Sequence, residues 1–425
     1  MKEKNNINEE GSDLVHDKEL YAKILGIEEP WQVTDVELNL KEGEVQIHIA
    51  NKTRGRHQCP ECGKAAEIHD TKERRWRHLD TCQYRTILVA KVPRVKCSEH
   101  GVKQIKVPWS EPGSRFTAMY EALVIDWIKE SNISGVARVM GLTWDQVDGI
   151  MQRAVSRGLE RREKEIPENI GVDEKAFRKG HEYVTVVSDQ NNHRVQHVAE
   201  GRKKESLGSY YEQYSDEDLK RVKTVTMDMW EPFIQSTIDS IPEAEKKICY
   251  DKFHVAKHLG EAVDRVRRKE NKELIRWGDG DLKGTRYFWL KNPENMSDEQ
   301  WASYGILTKT ALKTARAWAI KELAMSLWYY RSRGWARRAW EKWYGRAIRS
   351  RLEPVKRVAR MVKQHMEGIL NAVVHNVTNA GSEGINSVIQ KIINTARGFR
   401  NKERFKNAIY FYLGGLDLYP EGVRR

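Results

Sequence analysis

NIGVDEKAF, residues 169–177, and VKTVTMDMW, residues 222–230, are two apolar runs that each lead into an acid, Asp173 or Asp228. Apolar runs of this length between polar segments predict buried strands. Further strands are predicted at 182–189, 193–200 and 246–251, with helices at 204–214 and in WEPFIQSTIDSI. Three strands, a helix, a strand, a helix and a strand would build one short mixed sheet.

This order of elements is typical of a ribonuclease-H-like core. In such a sheet the first and fourth strands are neighbours, so Asp173 and Asp228 would lie side by side. Glu383 opens the helix-like stretch SEGINSVIQKIINTARGFRN, on the side opposite an apolar face formed by Ile385, Val388, Ile389, Ile392 and Ala396. Three converging carboxylates suit a pair of Mg²⁺ ions, with Mn²⁺ as a substitute, acting on a phosphodiester. Singly, an acid at a strand end is more often a turn or cap residue.

Other acids lie near the same positions. Asp251, in CYDKFHV, also ends a predicted strand and has His254 three residues later, so this pair is expected to support the site or to contact DNA. Glu174 follows Asp173 and should face the opposite side of its strand, which predicts no catalytic role.

The net charge of +13 favours a polyanionic partner, most often nucleic acid, although a basic protein without such a partner is the alternative. Between Arg331 and Lys363, twelve Lys or Arg accompany only two acids. Arg337 and Arg338 are candidate phosphate contacts there, and Trp335, Trp340 and Trp343 could stack on bases. An amphipathic helix with a solvated charged face is the competing interpretation.

CPEC and CSEH supply Cys59, Cys62, Cys97 and His100, two pairs of ligands in a β-rich span, which predicts a structural Zn²⁺ in a zinc ribbon. Cys82 is left over as a buried or free thiol, although His78 and Cys82 could substitute as ligands. Arg77, in WRHLD, is either a phosphate contact or part of a surface strand.

SNISGVARVMGLTWDQVDGIMQRAV, residues 131–155, predicts a short helix, a turn at Gly141 and a second helix capped by Thr143 with Gln146 as its capping-box partner. This is a helix-turn-helix, or an ordinary helical hairpin. Candidate DNA contacts are Thr143, Trp144, Gln146 and, after the Glu383 helix, Arg397 and Arg400.

The expected fold class is therefore multidomain α+β. We predict a polar segment at 1–30, a β-rich zinc domain at 31–109, a helix-turn-helix domain at 116–165, a ribonuclease-H-like α/β catalytic core at 168–251 and 378–413, an all-α insertion at 252–377, and a tail at 414–425. The polar start is no signal peptide and no run is long enough to span a bilayer, so we expect a soluble, cytoplasmic protein that contacts no membrane.

The motifs CPEC with CSEH, WRHLD, GVDEKAF, TMDMWEPF, DKFHV and NAGSEGINSVIQKIINTARGFRN, with the helix-turn-helix, resemble those of DDE-class insertion-sequence transposases of the ISL3 type. The resemblance covers nearly the whole chain from Trp31. It implies a catalytic triad of Asp173, Asp228 and Glu383 and zinc ligands at Cys59, Cys62, Cys97 and His100. It also implies binding to double-stranded terminal inverted repeats and target DNA, strand cleavage and transfer, a homo-oligomer of at least two copies, and a bacterial, nucleoid-associated location.

Two other functions stay open at this point. A non-catalytic, sequence-specific DNA-binding regulator derived from a transposase would use the zinc and helix-turn-helix domains alone. A structure-selective nuclease would cleave through the same acids without joining ends.

Overall fold

The chain divides into two units, residues 1–162 with 416–425, and residues 163–415. The computed structural model describes residues 17–53, 55–178, 182–291, 293–310, 312–376 and 380–423. Most of the polar segment predicted at 1–30, and residue 378 at the predicted start of the last catalytic portion, lie outside the described residues.

The first unit begins with a six-stranded sheet. Its strands are β1 (Trp31–Asn39), β2 (Glu44–Asn51), β3 (His57–Gln58), β4 (Ala65–Thr81), β5 (Tyr84–Cys97) and β6 (Gly101–Gln104). They lie in the order β1-β2-β5-β4-β3, with β6 also paired to β5. Alternate residues such as Ile47, Leu88 and Trp76 are buried on one face, and Trp109 packs edge-on against Trp76. The long β4–β5 hairpin turns at Cys82 and Gln83, both with positive φ, as a two-residue hairpin loop requires.

Helices complete this unit: α1 (Asp17–Leu25), α2 (Ala118–Glu130), α3 (Ile133–Met140) and α4 (Trp144–Arg161). The segment after Gly415 also belongs to it. Leu418 is buried, Arg157 donates to the Leu418 carbonyl oxygen, and the Tyr419 hydroxyl donates to Asp126 over 2.6 Å. The last residues of the chain therefore pack on α2 and α4, although the sequence suggested only a tail.

The second unit contains a five-stranded sheet of β7 (Asn169–Arg178), β8 (Glu182–Asp189), β9 (Arg194–Glu200), β10 (Thr224–Met227) and β11 (Ile248–Tyr250). Its order is β11-β10-β7-β8-β9, with β7, β8 and β9 antiparallel and β10 and β11 parallel to β7. This is the ribonuclease-H-like arrangement expected from the sequence.

The remaining helices are α5 (Lys204–Tyr211), α6 (Asp216–Lys220), α7 (Glu231–Ser240), α8 (Ala244–Lys247), α9 (Lys252–Arg276), α10 (Arg286–Leu290), α11 (Asp298–Thr310), α12 (Leu312–Ser326), α13 (Arg333–Ile348), α14 (Glu353–Gln364), α15 (Met366–Val374), α16 (Ala380–Thr395) and α17 (Lys402–Leu413). Short 3-10 helices lie at Pro293–Asn295 and Leu327–Tyr329. One apolar core joins one face of the sheet to the helices between β11 and α16, and Trp289, Trp340 and Trp343 are fully buried in it. No helix among the described residues is long and apolar enough to cross a bilayer.

Candidate active site and metal centre

The predicted zinc ligands form a compact cluster. One ligand atom from each of Cys59, Cys62, Cys97 and His100 lies within 4.8 Å of all the others. The Cys62 and Cys97 sulfurs are 3.7 Å apart, and the Cys97 sulfur is 3.6 Å from His100 Nδ1. A tetrahedron with Zn–S bonds of about 2.3 Å has S–S edges of about 3.8 Å, so the spacing fits zinc. Backbone amides of Cys62 and Glu61 lower the pKa of the Cys59 thiol, which favours the thiolate that binds metal.

The two substitute ligands considered from the sequence do not join this cluster. Cys82 is an exposed free thiol in the hairpin turn, so of the two outcomes expected from the sequence, a buried or a free thiol, the structure shows the second. His78 is buried beside Thr117, with 2.8 Å between its Nδ1 and the Thr117 hydroxyl, and burial lowers its pKa to about 4. Cys249 is buried in β11, as a core residue.

The helix-turn-helix has the caps that the sequence predicts. Gly141 ends α3 in the left-handed conformation, the Gln146 amide donates to Thr143 Oγ1, and the Thr143 amide donates to Gln146 Oε1 over 2.8 Å. Thr143, Trp144 and Gln146 are exposed at the start of α4. In proteins of this type the amino-terminal end of the second helix enters the major groove, and in this chain that end of α4 is exposed and open to a ligand.

The basic candidates have different surroundings. Arg77 is largely enclosed: it donates to the carbonyl oxygen of His78 over 2.7 Å, pairs with Asp80 and lies over the Tyr120 ring. These contacts support the structural interpretation of WRHLD. Arg337 donates to Glu367 over 2.6 Å, whereas Arg338 is exposed with its guanidinium over the Trp335 ring. Arg397 and Arg400 are exposed after α16.

Of the three tryptophans proposed to stack on bases, only Trp335 has an exposed ring. Trp340 and Trp343 face the core of the second unit, so that role is wrong for them. The charged residues on both sides of Trp340 and Trp343 in the sequence suggested that the two rings are exposed. In the helix, however, these two positions lie on the face that packs against the core.

The two predicted aspartates lie on neighbouring strands. Thr224, Val225 and Thr226 of β10 pair with Asn169, Ile170 and Gly171 of β7. Continuing this parallel register by two residues brings Asp228 level with Asp173. Since Val172 and Met227 are in the core, both aspartates belong to the opposite face of the sheet. The β10–β11 register, continued in the same way, adds Asp251 to this row.

Asp228 lies in surroundings that oppose its negative charge. Burial, together with the nearby carboxylates of Glu174 and Asp173, raises its pKa to about 6, although His254 and the Trp230 backbone amide act in the opposite direction. Its Oδ1 is buried and has no hydrogen-bond partner among the described residues. A buried carboxylate oxygen without a donor needs a cation or a proton.

Asp173 is held from two sides. The Glu174 amide donates to Asp173 Oδ1 over 2.7 Å, and Asn386 Nδ2 of α16 donates to Asp173 Oδ2. Glu383 is exposed three residues before Asn386, and residues three apart share a helix face. The first turn of α16, which carries Glu383, therefore lies at the Asp173 end of the sheet.

Two further side chains bear on these acids. Asp251 is buried and caps α9 by accepting from the Phe253 amide over 2.9 Å. Its Oδ2 is 3.3 Å from His254 Nδ1, and this contact raises the pKa of His254. Glu174 pairs with Arg202 over 3.2 Å, although its carboxylate still contributes to the field at Asp228.

The three acids do not close around one point in this structure. Within the described part of the chain, the four zinc ligands are the only set of three or more His, Cys, Asp or Glu whose ligand atoms all lie within 4.8 Å. Asp173 and Asp228 lie level on neighbouring strands, and Glu383 lies on α16 one turn before Asn386, which contacts Asp173, without completing a ligand cluster.

Asn386 is the contact that the sequence reasoning missed. Its position three residues after Glu383 was a usable signal, because it places both side chains on one face of α16.

Two apolar residues of the predicted buried face, Val388 and Ala396, are exposed instead, whereas Ile385, Ile389 and Ile392 are buried as predicted.

Comparison with known proteins agrees with this architecture. Residues 170–409 match a family model described as transposase, residues 55–100 match the zinc-finger of transposase IS204/IS1001/IS1096/IS1165, and residues 105–155 match the helix-turn-helix domain of transposase family ISL3.

Two curated relatives align over most of the chain. The transposase for insertion sequence element IS1001 from Bordetella parapertussis is 29% identical over 371 residues, 86% of this chain and 89% of the relative. The transposase for insertion sequence element IS1557 from Mycobacterium tuberculosis (strain CDC 1551 / Oshkosh) is 26% identical over 415 residues, 90% of this chain and 93% of the relative. Because the transposase match alone spans more than half of the 425 residues, the chain belongs to the ISL3 family of transposases.

Proposed function

We propose that this transposase binds the terminal inverted repeats of its insertion sequence and catalyses DNA strand cleavage and strand transfer with Asp173, Asp228 and Glu383. The observation that carries the proposal is the buried Asp228 oxygen without a donor, next to Asp173 and on the face that α16 approaches.

The donor set suits magnesium, because carboxylate oxygens are the ligands that hard divalent cations prefer. Two Mg²⁺ ions, or Mn²⁺ in their place, would activate a water or a 3′-hydroxyl and stabilise the leaving oxygen. Asp173 and Asp228 would hold the cations through their carboxylate oxygens, and a bound cation would stabilise the charge of the half-buried Asp228 carboxylate. Asn386 and the Glu174 amide orient the Asp173 carboxylate, and Glu383 supplies the third charge from α16.

Recognition of DNA is assigned to the first unit. The exposed start of α4, with Trp144 beside the Thr143–Gln146 capping box, has the shape and position of a recognition-helix end. The zinc-bound sheet next to it in the chain supplies a rigid support. Arg338, Arg397 and Arg400 are exposed cations for the phosphates of the repeats and of target DNA. Synapsis of two ends would require at least two copies of the chain.

The test uses labelled DNA that carries the terminal repeats flanking the coding sequence, incubated with Mg²⁺ and analysed for nicks and joined products. Asp228→Asn should lower the cleavage rate at least about a hundredfold, because a lost metal ligand removes several kcal/mol of transition-state stabilisation. Asp239→Asn is the matched control, since Asp239 is a half-exposed acid of the same unit that pairs with Lys204 away from this face.

Unchanged cleavage by Asp228→Asn would remove the acids from the mechanism. Specific binding of the repeats without any cleavage by the wild type would instead support the regulator, and cleavage without joined products would support the nuclease.

A further inference from the structure

Two aromatic rings are exposed at the start of α9, in the turn that follows β11. The Phe253 ring is 55% exposed, and the Tyr329 ring of the short 3-10 helix is 72% exposed. Lys252 joins them: it precedes Phe253 in the chain, and its Nζ lies 4.9 Å from the centre of the Tyr329 ring. We call Lys252, Phe253 and Tyr329 the aromatic platform.

The aromatic platform adjoins the acids described above. The Phe253 ring is 5.9 Å from the His254 ring, and His254 Nδ1 lies 3.3 Å from Asp251. His254 also contributes to the field at Asp228. The Phe253 ring therefore lies beside the His254–Asp251 pair, and His254 is near enough to Asp228 to affect its pKa.

The chemistry of the aromatic platform selects its ligand. Exposed rings stack on nucleobases, but a base presents its flat face only when it has left the double helix. Lys252, the first residue of α9, adds positive charge for the adjoining phosphate.

We propose that the aromatic platform binds an unpaired nucleobase of the DNA strand next to the phosphate that is cut. Stacking keeps the terminal base of the insertion-sequence DNA unpaired while the phosphate that is cut lies at Asp173 and Asp228. The inference rests on the proposed function, because that function brings a DNA strand to these acids.

The test compares two DNA ends, one fully paired and one with mismatched nucleotides beside the cut, in buffer without Mg²⁺ or Mn²⁺ and without a chelator, so that no strand is cleaved and the zinc site stays intact. Wild-type protein should bind the mismatched end more tightly, and Phe253→Ala or Tyr329→Ala should reduce that preference by about fivefold to a hundredfold, the usual effect of one lost base-stacking contact. Phe253→Trp should retain the preference.

Trp277→Ala is the matched control. Trp277 is 86% exposed and follows the last residue of α9, about 36 Å from Phe253 at 1.5 Å per residue. Its replacement should leave both affinities unchanged. A fluorescent 2-aminopurine at the mismatch gives a second measurement, because stacking on Phe253 or Tyr329 changes its emission.

An equal preference for the mismatched end in the wild type and in both alanine variants would overturn the inference. It would also be overturned if the alanine variants lost the preference through a changed oligomeric state while the 2-aminopurine emission stayed as in the wild type. These binding measurements need no catalysis. Failure of the proposed function would appear separately, as cleavage that survives Asp228→Asn.

Discussion

Asp228 combines two features at the residue scale that a purely structural acid lacks. Burial raises its pKa to about 6, and one of its buried oxygens has no donor among the described residues. In contrast, Asp251 is more deeply buried but caps a helix, and Asp189 accepts from the amides of Asn191 and Asn192. A partly buried acid with one oxygen that accepts no hydrogen bond is a place where a bound cation lowers the free energy.

Asn386 is expected to position Asp173 rather than to touch DNA. Asn386→Ala removes the side-chain donor to Asp173 Oδ2. We expect the Mg²⁺ concentration that gives half-maximal cleavage to rise about tenfold to a hundredfold, the usual effect of removing a group that orients a metal ligand. A Mg²⁺ titration of the cleavage rate measures this.

Asn394→Ala is the control for this prediction, because Asn394 is exposed on the same helix and its side chain accepts a hydrogen bond from Gln390 rather than contacting Asp173. An unchanged Mg²⁺ midpoint in Asn386→Ala, with the thermal stability of the wild type, would remove Asn386 from the site.

At the scale of single elements, α16 depends on a glycine in β7. A Cβ on Gly171 would lie 1.8 Å from Gln190 Nε2, so only glycine leaves room for that side chain. Gln190 Nε2 in turn donates to Ser382 Oγ over 2.9 Å, next to Glu383. Gly171 in GVDEKAF thus leaves space for Gln190, and the hydrogen bond from Gln190 to Ser382 holds α16, the helix that carries the third acid, against the sheet.

The carboxy-terminal segment is a second element with a defined place. A Cβ on Gly158 of α4 would meet the Leu416 side chain at 2.6 Å, and Arg157 and Arg161 bind the segment's carbonyl oxygens. Leu418→Ala should therefore lower the free energy of unfolding of the first unit by about 2–4 kcal/mol, the usual effect of truncating a buried leucine. Urea denaturation followed by tryptophan fluorescence measures it.

Glu421→Ala, an exposed change in the same segment, should leave that stability within about 0.5 kcal/mol. If Leu418→Ala were equally silent, the segment would not contribute to the fold of the first unit.

At the scale of the whole molecule, zinc and the large apolar core stabilise different units. The four zinc ligands belong to the first unit, whereas the core around Trp289 and Trp343 belongs to the second. Chelation of zinc should therefore lower the first calorimetric transition by about 10 °C or more and shift the second by no more than about 2 °C.

Cys62→Ser should reproduce the effect of the chelator, and Cys82→Ser, which changes an exposed thiol outside the cluster, should not. A single transition that moves as a whole would show that the two units unfold together.

The sequence by itself determined the local elements and the soft-metal site. Each of these local features depends on residues only a few positions apart, so the spacing along the chain already determines the local geometry. They are the Thr143–Gln146 capping box, the turn at Gly141 and the two knuckles of the zinc site. The strand order also followed, because short apolar runs separated by helices have few ways to form one sheet.

Only the tertiary structure decided which long-range contacts those elements make. It turned Trp340 and Trp343 into the core, enclosed Arg77 between Asp80 and Tyr120, and brought Asn386 to Asp173. It also seated Leu418 among the helices of the first unit. Composition predicts that a residue is charged or aromatic, but the side of an element that it occupies, and hence its partner, depends on packing between segments that are far apart in the chain.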